Sequence, residues 1–135
     1  MQSTLVDAGP LVALFDASDK HHRWAVSAIR NEPYRLVTTW PVLAETASML
    51  STESWIDCLE FASAGGMTIH EFLQGALTEL IRWAKKYRDL PMDLGNASLV
   101  VLAGIIGTRR IITIDSDFSI YRLPGNKSFE MIHAG

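Results

Sequence analysis

The chain has 135 residues, 48% hydrophobic and 20% charged, with a formal charge of −3 and a single cysteine, Cys58. This fits one compact domain over residues 1–135, excludes an intrachain disulfide, and argues against nucleic-acid binding by bulk charge alone. The longest apolar run, Ala97 to Gly107, falls short of the ~20 residues that span a bilayer, and no signal-peptide pattern opens the chain, so a cytoplasmic protein with no membrane partner is expected.

Thr4-Leu5-Val6 reads as a short strand that stops at Asp7-Ala8-Gly9-Pro10, where Gly-Pro breaks the extended run and Pro10 can sit in a first helical turn. Leu11 to Phe15 continues as a short helix, and His21 to Arg30 reads as a second one burying Trp24, Ala28 and Ile29. Tyr34 to Thr38 is the second predicted strand, followed by a helix from about Val42 to Leu50 that carries Glu45 one turn in. Ser54 to Ala62 forms a further helix with Ser54 as its cap and Gly65-Gly66 as its stop. Met67 to Ile69 is a candidate strand before a long helix from Glu71 to about Tyr87, closed by Pro91. Leu94 to Ile106 is apolar nearly all round, the mark of a buried helix, and Asp93 is its natural cap. Ile111 to Ile114 is a buried strand, and Phe129 to Ile132 a final edge strand.

Short apolar strands alternating with helices predict an α/β fold, a three-layer α/β/α sandwich around a mainly parallel sheet of about five strands. In such sheets ligands collect outside the carboxyl ends of the strands. Asp7, the Thr38 to Glu45 link, Asp115 and Asp117 all fall there, and Asp93 at the start of the buried helix can reach the same rim. Carboxylates about 5 Å apart repel by roughly 3 kcal/mol per pair at an effective dielectric of 20, so such a cluster needs protons or a cation at neutral pH. An all-oxygen donor set suits Mg²⁺ or Mn²⁺, which can activate water against a phosphodiester. Zinc fits poorly, because Cys58 is alone and His21-His22 are adjacent rather than spaced along one helical face.

Each of these residues also has a plain structural reading. Asp7 can satisfy the Ala8-Gly9 turn, Glu45 can benefit from a helix dipole, Asp93 can simply cap, and Asp117 can cap the turn from Ser119 to Tyr121. Asn96 shares a stripe with Val100 and Ala103 and so faces inward. Thr38, Thr113 and Ser116 could hold waters near the acids or simply satisfy turns, and Lys85, Lys86, Arg88, Arg109, Arg110, Arg122 and Lys127 could form a phosphate-binding rim or stand individually as ordinary surface cations. Trp24, Trp40, Trp55 and Trp83 are read as core or dimer-interface residues.

The Val6-Asp7-Ala8-Gly9-Pro10-Leu11 start, the Asp19-Lys20-His21-His22-Arg23-Trp24-Ala25 run, Thr39 to Leu50 with Glu45, and the Pro91 to Phe118 block together resemble a PIN domain of the bacterial VapC toxin type. The resemblance covers essentially the whole chain. It implies a Mg²⁺- or Mn²⁺-dependent ribonuclease that hydrolyses RNA phosphodiesters, usually dimeric and often neutralised by a small antitoxin. Carried over by position, it puts the family's first acid on Asp7, the second on Glu45 and the last on Asp115, with Asp117 close by. The third acid, directly before Ala-Ser, is replaced by Asn96, which brings an oxygen but no charge; Asp93, three residues earlier, compensates in part. A catalytically weakened PIN-like module that binds RNA or protein is therefore the alternative. A phosphatase or receiver-type pocket fits poorly, because Asp7 has no second acid adjacent or two residues on.

Overall fold

The computed structural model describes residues 2–90 and 92–134. Five strands, β1 (Ser3–Val6), β2 (Arg35–Thr39), β3 (Thr68–His70), β4 (Arg110–Ile112) and β7 (Glu130–Ile132), form one sheet in the order β3-β2-β1-β4-β7. Every pairing in it is parallel, with Leu5 opposite Val37 on one side and Ile111 on the other. Six helices flank the sheet: α1 (Ala8–Phe15), α2 (His22–Arg30), α3 (Trp40–Ser48), α4 (Thr52–Ser63), α5 (Leu77–Lys86) and α6 (Leu94–Ile106). The α/β/α architecture is the one expected. No helix among the described residues is long and apolar enough to cross a membrane.

The core is built from the central strands and α6. Leu5, Val6, Ile111 and Ile112 are fully buried, as are Leu99 and Leu102 of α6, and every residue from Gly95 to Ala103 is inside. That explains why α6 is apolar on all sides: it lies between α3, α5 and the sheet, so it has no extended solvent face.

Local chemistry moves several boundaries. α1 starts at Ala8 rather than Leu11 because the Asp7 carboxylate accepts from Ala8 N at 2.8 Å, and Pro10 falls in the first turn, where no N–H is needed. α3 starts at Trp40 because the Thr39 hydroxyl accepts from Val42 N. The cap of α4 is Ser51, whose hydroxyl accepts from Ser54 N at 3.2 Å; Ser54 itself is inside the helix. In α2 the residue fully buried is Ala25, while Trp24, Ala28 and Ile29 pack at the margin of the core.

The expected long helix from Glu71 is a larger departure. Residues 71–73 carry no regular structure, Gln74–Ala76 make a 3₁₀ turn, and only Leu77–Lys86 of this stretch is α-helical. Phe72 packs partly buried with its ring edge-on to His70 of β3 at 4.7 Å, and Gly75 disfavours helix by about 1 kcal/mol relative to alanine. Pro91, read as closing that helix, lies outside the described residues. A small antiparallel hairpin of β5 (Arg122–Leu123) and β6 (Lys127–Ser128) also forms, turned by Gly125 and Asn126 at φ 79° and 57°. The Gly-Asn pair was its signal in the sequence.

Candidate active site at the carboxyl end of the sheet

Asp7 follows the central strand β1. Its backbone N–H extends the ladder to Ile112 O at 3.1 Å, which sets it beside the end of β4, and there Thr113 donates its hydroxyl to Asp7 Oδ2 at 2.9 Å. The Thr113 oxygen in turn accepts from Asp115 N at 2.9 Å. One threonine thus ties together the two acids at adjacent strand ends. Asp7 is 5% exposed, and Asp115 and Glu45 are half-buried.

Helices α3 and α6 bring the remaining groups. The Thr39 hydroxyl lies 2.7 Å from that of Ser98, which donates to Gly95 O at 2.7 Å, pinning the start of α6 to the start of α3. Gly95 lies beside both Asp93 and Glu45. A Cβ built there would lie 3.4 Å from Asp93 Oδ1, 3.5 Å from Glu45 Oε2 and 3.6 Å from Val42. Asp93 caps α6, accepting from Asn96 N at 2.7 Å, and Asn96 sends its side-chain nitrogen to Asp115 Oδ2 and to the Tyr121 hydroxyl, both at 3.1 Å.

These acids share one electrostatic environment. Burial pushes the Asp7 carboxyl up to about 6; Asp115 and Asp93 add to the rise, while hydrogen bonds from Ala8 N and Thr113 oppose it. Glu45 is also raised to about 6, first by burial, then by the charges of Asp93 and Asp7 and by a hydrogen bond with Asp93 that favours the protonated form. Asp117 is raised by burial and by Asp115. Among the described residues, none of these carboxylates forms an ion pair with a lysine, arginine or histidine.

The donor set is all oxygen, which fits a hard divalent ion. As placed, no three His, Cys, Asp or Glu side chains among the described residues converge closely enough to enclose one. Two of the acids are held by neutral donors: Asp7 gives both oxygens to Ala8 N and Thr113, and Asp115 gives both to Asp117 N and Asn96. Each carboxylate oxygen keeps a second lone pair. Raised proton affinity at Asp7 and Glu45, together with the space left by Gly95 between Glu45 and Asp93, makes the set compatible with a cation replacing those protons.

Other expected contributors land elsewhere. Asp117 does not cap the turn after β4; Asp115 does, accepting from Asp117 N at 2.9 Å. Thr38 donates its hydroxyl to Val6 O, holding β1 to β2, and the Ser116 carbonyl accepts from Ser119. Arg110 belongs to no phosphate rim, because it opens β4 at the opposite end of the sheet and pairs with Glu32 and Glu130. Arg122 Nη1 donates to the carbonyls of Ser119, Ile120 and Tyr121, and Lys86 lies over the rings of Trp83 and Tyr87. Trp83 is core, whereas Trp40 is half-exposed. Tyr121, absent from the sequence-based site, is fully buried with its hydroxyl on Asn96. Its only sequence signal was an aromatic residue four positions after Asp117.

No family model matches the chain. It is 28% identical over 133 residues to Ribonuclease VapC26 of Mycobacterium tuberculosis strain H37Rv, covering 95% of this chain and 98% of that protein. Among solved structures, M. tuberculosis VapC20, a sarcin–ricin loop cleaving toxin, superposes with a TM-score of 0.80 at 17% identity, covering 88% of this chain and 94% of that one. VapBC2 of Rickettsia felis, bound to a DNA fragment from its promoter, superposes with a TM-score of 0.64 at 14% identity, covering 97% and 99%.

Proposed function

We propose that the chain, which resembles VapC proteins in sequence and in fold, is a VapC-type PIN domain, a divalent-cation-dependent endoribonuclease and the toxin of a toxin–antitoxin pair. The observation that carries this reading is the set of carboxylates on one sheet end with, among the described residues, no cationic side chain paired to them. Asp7, Glu45, Asp93 and Asp115 would hold Mg²⁺ or Mn²⁺, with Asn96 and Asp117 at its margin. Bound there, the ion supplies Lewis-acid polarisation of the phosphodiester and an activated water.

The protein's own residues prepare that chemistry. Thr113 fixes Asp7 Oδ2, Asn96 fixes Asp115 Oδ2, and the Thr39–Ser98–Gly95 link holds Glu45 and Asp93 at a set spacing. Burial and neighbouring acids raise the proton affinity of Asp7 and Glu45, the same electrostatics that would favour a bound cation there. In-line hydrolysis would form one P–O bond from water and break the opposite one, and the proton released by the water would pass by way of a rim carboxylate, for which Asp117 is the candidate, to the leaving oxygen.

The proposed partners are an RNA substrate, a second copy of the chain and a small antitoxin, in the cytoplasm. That the structurally similar VapBC2 of Rickettsia felis was solved on a DNA fragment from its promoter supports a DNA-binding antitoxin partner. The test is RNA cleavage with Mn²⁺ added. Cleavage is expected to fall by at least about 100-fold on Asp7→Ala or on chelation, as for loss of groups that act on the developing charge; activity surviving either change overturns the assignment.

Asn96 favours a second reading, a module whose catalysis has lapsed while binding persists. Asn96→Asp separates the two. Cleavage by the restored variant alone, with an inert parent, selects the lapsed nuclease.

A further inference from the structure

Asn96 has two amide hydrogens, and the fold uses both: one goes to Asp115 Oδ2 and the other to the Tyr121 hydroxyl, each at 3.1 Å. Neither neighbour is free to drift. Asp115 Oδ1 is already held by Asp117 N at 2.9 Å, so the second bond fixes the plane of the carboxylate. Tyr121 is fully buried, with its ring edge-on to Tyr87 at 5.0 Å and to Phe118 at 5.1 Å. Phe118 is held by Phe129 at 5.3 Å, and the Tyr87 hydroxyl accepts from Arg122 N at 2.8 Å. An aromatic cluster thus fixes one oxygen, that oxygen fixes the amide, and the amide fixes the acid.

We propose that Tyr121 is a positioning residue for Asp115, acting through the side-chain amide of Asn96, so that Asp115 stands ready for a cation without needing one to hold it. An acid in place of Asn96 could not do this. It would face Asp115 oxygen to oxygen and would need a shared proton or a bound ion to keep the same geometry. The neutral amide gives up one negative charge and in return preorganises a neighbouring ligand. This inference rests on the cation-site reading of the rim.

Two measurements on the full chain test it, comparing wild type with Tyr121→Phe, which removes only the hydroxyl. In calorimetric titration with Mn²⁺ alone, the variant is expected to bind about tenfold more weakly, the usual cost of losing a residue that orients a metal ligand. In ¹H–¹⁵N spectra without any metal, the Asn96 side-chain protons are expected to be dispersed and slow to exchange in wild type, and to collapse toward averaged positions in the variant. Unchanged Mn²⁺ affinity in the variant overturns the positioning role, whatever happens to its melting temperature. If wild type binds no Mn²⁺, the cation-site reading fails, and the amide signals alone judge the brace: signals unmoved by Tyr121→Phe overturn it, shifted ones support it. If the variant does not fold, averaged, fast-exchanging Asn96 protons in wild type overturn the proposal and protected ones support it.

Discussion

At the amino end of the sheet, Glu32 places a carboxylate with a side chain only 2% exposed against Arg110, which donates through Nε at 3.0 Å and Nη2 at 3.1 Å. Thr4 and Tyr34 N add bonds to the same oxygen, Arg110 reaches Glu130 at 2.8 Å, and its guanidinium lies 5.3 Å over the Tyr34 ring. At the carboxyl end of the same central strands, Asp7 is buried to a similar degree, yet its partners are an amide and a hydroxyl, and its charged neighbours are other acids. A buried acid kept for stability brings its counter-ion in the chain. The acids at the other end are held by neutral donors, so relief of their mutual repulsion is left to protons or to a cation.

The largest effect expected from breaking this contrast is at the closed end. Arg110→Ala strands the buried Glu32 carboxylate and is expected to lower stability by about 3 kcal/mol, read as a shift in urea midpoint with unchanged slope. Because Arg110 stands at the far end of β4 from the acids, Mn²⁺ affinity of the folded variant should match wild type. A parallel loss of Mn²⁺ binding would mean the two ends are not independent.

The open end is expected to respond in the opposite sense. The folded-state value of Asp7 is raised from 3.8 to about 6, so the native state binds the proton more tightly than the unfolded chain does. Stability from this group is therefore present at low pH and lost as pH rises from about 4 through 6, a change on the order of 3 kcal/mol. Asp7→Asn removes the charge at the cost of disturbing the Thr113 hydrogen bond. In cation-free buffer at pH 7.5 it should be about 1 kcal/mol more stable than wild type, with that advantage gone by pH 4. Added Mn²⁺ should raise the wild-type melting temperature and leave the variant's unchanged. A variant less stable than wild type at pH 7.5 would show that the carboxylate is as well compensated as Glu32 is.

This contrast also accounts for what could be read in the chain beforehand. The alternation of apolar runs gave the parallel sheet, and the acids at strand ends gave the rim, because both follow from local pattern and from where such sheets gather ligands. Helix starts shifted wherever a side chain captured a backbone N–H, as Asp7, Thr39 and Ser51 do, and the break of the expected helix at residues 71–76 came from the packing of Phe72 against a ring brought near by β3. Arg110 directly precedes the strand expected at Ile111, so chain order alone already set it at the amino end, away from the rim. Which of the two neighbouring acids, Asp115 or Asp117, turns inward to cap does not follow from their order in the sequence. Tyr121 was beyond reach because its role depends on a hydrogen bond across 25 residues.

The smallest expected effect on stability is also the one that best separates structure from chemistry at a single residue. Asp93 is a helix cap by geometry and a candidate cation ligand by position, and it touches the space at Gly95 that Glu45 also faces. Asp93→Ser keeps a good capping oxygen and removes the charge, so stability should stay within about 0.5 kcal/mol of wild type. Glu45 would at the same time lose its nearest charged neighbour, and its carboxyl should fall back toward the ordinary range, since Asp93 is the first of the charges that raise it. Mn²⁺ affinity, measured by calorimetry, is expected to drop about tenfold, the scale of about 1.4 kcal/mol for one carboxylate of a set. An affinity equal to wild type would make Asp93 a cap alone, and would leave Asp7, Glu45 and Asp115 to hold the ion with the neutral help of Asn96.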